Sequence, residues 1–78
     1  MDWRPFIHRD PAILCGKPVI KGTRISVELV LQMLSGDWSI DDVLDSYPHL
    51  SREQVQACLA FAADALDRER APLASGAA

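Results

Sequence analysis

Cysteine and histidine are scarce in this chain, with two of each in 78 residues. A single pair of thiols makes no disulfide framework. No Cys-x-x-Cys or His-x-x-x-His spacing exists to hold a metal. Cys15 and Cys58 each sit among apolar neighbours, so both are expected to be buried free thiols in a reducing compartment. No basic segment leads into an apolar run like that of a signal peptide. Nor does any run approach the roughly 20 apolar residues of a membrane span. The expected location is the cytoplasm. Signs of catalysis are also missing: no Ser-His-Asp signature, no cysteine with a base, no carboxylate pair in an apolar run. Asp41-Asp42 opens a predicted helix, where carboxylates complement the dipole and need no catalytic role. Neither enzyme activity nor a cofactor is expected.

A chain of this length forms one domain and buries only about 60% of its unfolded surface, so its own core is marginal. Without disulfides or a metal, self-association or tight docking to a partner is the remaining route to stability. A homodimer is expected.

The net charge of −3 conceals an asymmetry. Residues 1–25 carry Arg4, Arg9, Lys17, Lys21 and Arg24 against Asp2 and Asp10. Residues 26–78 carry three arginines against nine carboxylates. Such a bipolar chain can offer its positive part to one partner and its negative part to another.

Residues 1–25 read as an extended basic part. Pro5, Pro11 and Pro18 exclude a helix, and Phe6-Ile7-His8-Arg9 and Pro18-Val19-Ile20 are strand candidates. Ile13 and Leu14 are expected core anchors. Residues 26–70 read as three helices. Ser26, Ser39 and Ser51 are the expected N-caps. Each follows an apolar residue whose partner lies five positions on: Ile25 with Val30, Trp38 with Val43, Leu50 with Val55. Apolar stripes agree: Val27, Val30, Leu31, Leu34; then Ile40, Val43, Leu44, Tyr47; then Val55, Cys58, Leu59, Ala62, Leu66. Gly36 and Pro48 end the first two helices. The fold class is mainly α, a tri-helical helix-turn-helix with a short N-terminal strand or hairpin region. Residues 71–78 have low complexity and no charged side chain, and are expected to be a disordered tail.

The densest signal is the run Gly16-Lys17-Pro18-Val19-Ile20-Lys21-Gly22-Thr23-Arg24. Turn residues bracket a short strand and hold three cations in a fixed array, which suits an anionic partner. It is not a phosphate-binding nucleotide loop, because Pro18 follows Gly16-Lys17 and Pro11 stands where the first glycine belongs. The plainer alternative, a solvated turn beside a small sheet, stays open.

In a helix-turn-helix unit the start of the last helix reads bases. Arg52 suits guanine there and Gln56 suits adenine. Gln54 is drawn back to the Ser51 amide by a capping box, and Glu53 opposes phosphate. The second helix carries Asp41, Asp42 and Asp45 without a cation, so phosphate contacts rest on Lys17, Lys21 and Arg24, with Thr23 between them. On the third helix, Ala57, Ala60, Ala63 and Ala65 leave low relief around Phe61. Gln54, Ala57, Phe61, Asp64, Ala65 and Arg68 form the candidate partner face. Packing within the domain and a dimer seam are the alternatives for that face.

The run Asp10-Pro11-Ala12-Ile13-Leu14-Cys15-Gly16-Lys17-Pro18-Val19-Ile20-Lys21-Gly22-Thr23-Arg24-Ile25 resembles the signature of a prokaryotic family catalogued as "domain of unknown function 433". Tyr47-Pro48-His49-Leu50 before a helix matches it too, and the resemblance spans roughly residues 7–68. Cys15 stands where a first glycine is common, and Ser26 where proline is common. The resemblance implies a winged or homeodomain-like helix-turn-helix. It also implies a VapB-type antitoxin, encoded beside a PIN-like nuclease toxin that it neutralises, and repressing its own operon. On that reading the basic run and the start of the third helix meet operator DNA, and the remainder of the third helix meets the toxin. A protein-interaction module without DNA binding is the alternative, supported by the acidic second helix.

Overall fold

The computed structural model describes residues 1–69. The expected tail at 71–78 lies outside them. Two strands, β1 (Ile7–Arg9) and β2 (Pro18–Ile20), pair antiparallel with Ile7 opposite Ile20 and His8 opposite Val19. Three helices follow: α1 (Val27–Ser35), α2 (Ile40–Ser46) and α3 (Arg52–Glu69). The molecule is mainly α, a tri-helical helix-turn-helix preceded by a short hairpin.

Local hydrogen bonds place the helix starts where the serines predict. The Ser26 hydroxyl accepts from the Leu29 N–H at 3.0 Å. Ser39 and Asp42 form a reciprocal box at 3.1 and 2.8 Å, and Ser51 and Gln54 form another at 3.2 and 2.8 Å. Each satisfies amides that the first turn leaves without partners. Gly36 and Tyr47-Pro48 close α1 and α2.

The core joins the hairpin to all three helices. Ile7 and Ile20 meet Val27 and Val30 of α1, Val43 of α2, Leu50, and Val55 and Cys58 of α3. Two expectations fail here. Leu14 is 40% exposed and Ile13 is only half-buried, because the chain turns through the left-handed region at Leu14, Cys15 and Gly16 (φ 49°, 57° and 83°). That turn lifts Cys15 into solvent, so only Cys58 is a buried thiol. The buried arc of α3 also differs from the predicted stripe. It turns away from Leu59 (41% exposed) toward Ala57, which is fully buried. Leu66 is 68% exposed, since α3 runs for 18 residues against 9 and 7 in its neighbours, and its last turns outrun them.

Candidate docking and nucleic-acid surfaces

Strand pairing and turn hydrogen bonds hold the backbone of the basic run, but its side chains are not all free. Lys17 Nζ donates to Glu28 Oε1 at 2.9 Å, and this hydrogen bond raises the lysine pKa above its ordinary value. The Thr23 hydroxyl is turned inward, donating to the Ile20 carbonyl at 2.8 Å and accepting from the Ile25 N–H at 3.0 Å. Thr23 therefore closes the loop rather than offering a contact to DNA. Gly22 takes φ 80° in the same turn, which a side chain would strain.

At the start of α3 the Arg52 guanidinium contacts the Asp41 carboxylate of α2. The acidic helix thus neutralises the residue expected to read guanine. Gln56 is exposed, and Gln54 is engaged in its capping box. Arg4 pairs with Asp2, Arg68 pairs with Asp64, and Arg9 donates to the Gly16 carbonyl. Lys21 and Arg24, both exposed, are the described lysines and arginines left with no such partner.

The expected partner face on α3 is partly occupied by the chain's own N-terminus. Trp3 packs edge-on against Phe61 with centroids 4.7 Å apart, and its indole N–H donates to Asp64 Oδ2 at 3.1 Å. Asp64 also pairs with Arg68 at 3.1 Å. Phe61, Asp64 and Arg68 therefore first serve as an anchor for residues 1–6. Ala57 is buried and leaves the surface set altogether. Sequence patterning missed Trp3, because a lone tryptophan outside any periodic segment gives no sign of its contact.

Among the described residues, hollows lie beside these surfaces. One, of about 330 Å³, lies between α1 and α3 and is lined by Pro18, Val27, Leu31, Phe61, Ala65 and Leu66 among others. It retains Phe61 and Ala65 from the predicted face. A second, of about 430 Å³, lies between the Gly22-Thr23-Arg24-Ile25 loop and the Ser46–Leu50 turn. A third, of about 350 Å³, is lined by Asp37, Trp38, Asp42, Asp45 and Ser46. No described helix is long and apolar enough to cross a membrane.

The model of the family described as "Protein of unknown function (DUF433)" matches residues 7–62. The chain is similar to an uncharacterized protein y4eO of Sinorhizobium fredii (strain NBRC 101917 / NGR234), 30% identical over 59 residues. That alignment covers 76% of this chain and 27% of the relative, so the chain spans about a quarter of that protein's length. No solved structure matches the chain. The chain belongs to the DUF433 family.

Proposed function

We propose that this DUF433 member is the antitoxin of a type II toxin–antitoxin pair. It is a cytoplasmic dimer that binds a PIN-like nuclease encoded beside it and represses its own operon. The observation that carries the reading is the apolar hollow between α1 and α3, continued by the exposed Leu66. Contiguous exposed apolar surface on a small domain favours a protein partner.

The DNA half of the reading rests on the helix-turn-helix fold and on Lys21 and Arg24. Lys17 and Arg52 join them only by leaving Glu28 and Asp41. Both pairs are exposed and so weakly held, and that exchange costs little beside a phosphate contact. A second reading, an interaction module that does not bind DNA, is favoured by the Arg52–Asp41 contact and by the acidic α2.

The test is co-expression of the tagged chain with the product of the adjacent reading frame. A stoichiometric complex is expected, with the neighbour toxic when expressed alone. A harmless neighbour that does not co-purify would sink the antitoxin reading. Binding to the upstream DNA that weakens steeply with salt separates the repressor from the interaction module.

A further inference from the structure

The hollow between the Gly22–Ile25 loop and the Ser46–Leu50 turn brings together the two segments that carry the family resemblance. Its walls include the apolar surfaces of Ile25, Tyr47 and Leu50, and its polar groups include the Arg24 guanidinium and the His49 imidazole. No carboxylate lines it. Among the described residues Arg24 makes no ion pair, although Arg4, Lys17, Arg52 and Arg68 each do. The site thus lacks an acidic occupant with an apolar body.

The adjoining hollow has the opposite character and shares Ser46 with the first. It presents Trp38, 40% exposed, beside Asp37 and Asp45, neither of which is ion-paired among the described residues. Its third carboxylate, Asp42, is already held by the Ser39 N–H. A basic apolar hollow and an acidic aromatic patch therefore lie side by side on one surface. A two-fold axis near Ser46 would set each against its complement on another copy, and such a contact would close at two molecules.

We propose that the Arg24–His49 hollow receives Trp38 and the Asp37/Asp45 carboxylates of a second copy of this chain. This interface gives a seam to the dimer of the proposed function, needs no toxin to form, and takes Arg24 from the phosphate contacts, leaving Lys21. Burying a tryptophan beside opposite charges supplies the central anchor that small interfaces depend on.

The test is sedimentation of the full chain from micromolar to millimolar concentration, with two charge-reversed variants, Arg24→Glu and Asp37→Lys/Asp45→Lys. All three positions are exposed, and circular dichroism checks that each variant folds. The wild type is expected to dimerise, and each variant alone to dimerise at least about tenfold more weakly. An equimolar mixture of the two variants is expected to recover the dimer, because both half-contacts then pair opposite charges. A wild type that stays monomeric would overturn the proposal. So would a dimer indifferent to both variants, or a mixture that fails to recover. If the wild type is a monomer and Arg24→Glu releases the neighbouring gene's product, the hollow belongs to that partner: the dimer falls and only the toxin-binding part of the antitoxin reading stands. If the charge swap works but no toxin is captured, the antitoxin reading fails alone.

Discussion

At Cys15 the backbone takes φ 57°, between Leu14 at 49° and Gly16 at 83°. A side chain in this region costs about 1–2 kcal/mol, which explains why glycine suits the position. Part of that gain is lost to the greater freedom of an unfolded glycine. Cys15→Gly is therefore expected to stabilise the fold by about 0.5–1 kcal/mol in urea denaturation. The other thiol behaves oppositely. Burial pushes the Cys58 pKa from its ordinary 9.0 up to about 11. The folded state favours the neutral thiol, so this stabilisation is complete below pH 9.0 and is lost as pH rises through about 11. Stability measured by urea denaturation between those limits should fall with pH more steeply for the wild type than for Cys58→Ala. Equal slopes would remove Cys58 as a cause. At this scale the three serine caps were legible, because a cap is a contact within four residues. Cys15 and Thr23 were not. Their roles depend on backbone angles and on an inward-facing hydroxyl that residue type alone leaves open.

Among the elements, α2 depends most on its ends. It has seven residues, too few for isolated stability, and one fully buried side chain, Val43. Its Ser39–Asp42 box should therefore matter: Ser39→Ala is expected to cost about 1 kcal/mol, read as a shift in the urea midpoint. No change would mean that packing alone fixes the start of α2. The strands and helix boundaries were legible from proline, serine and apolar spacing. The orientation of α3 was not. Val55 and Cys58 fit the predicted stripe, but Ala57 and Phe61 turn inward instead of Leu59. In an alanine-rich helix the periodic signal is weak, and tertiary contacts such as Trp3 on Phe61 decide which arc is buried.

For the whole molecule, the charge asymmetry of the sequence becomes a set of local neutralisations. Asp41 of α2 holds Arg52 and Glu28 of α1 holds Lys17, and among the described residues the positive field contracts to Lys21 and Arg24. Fold class follows from the pattern of elements and was legible; which cations stay free follows from pairs 11 residues apart and was not. Lys21→Ala is expected to weaken operator binding on every sequence tested and to reduce the salt slope by about 1 for each protomer, with Arg24→Ala acting only through the dimer seam. Filter or anisotropy titrations over a salt series measure both. Unchanged affinity would take Lys21 out of any DNA site.

The clasp of Trp3 on Asp64 joins positions 61 apart in the chain. Closing so long a loop comes at the end of folding, when helices and hairpin already define the ends to be joined. Trp3→Ala should then leave the refolding rate nearly unchanged and speed unfolding several-fold, as stopped-flow chevrons would record. A slowed refolding limb would instead place the clasp in the folding nucleus. During synthesis the same clasp waits for position 64 to leave the ribosome, so until then Trp3 lacks its final partners.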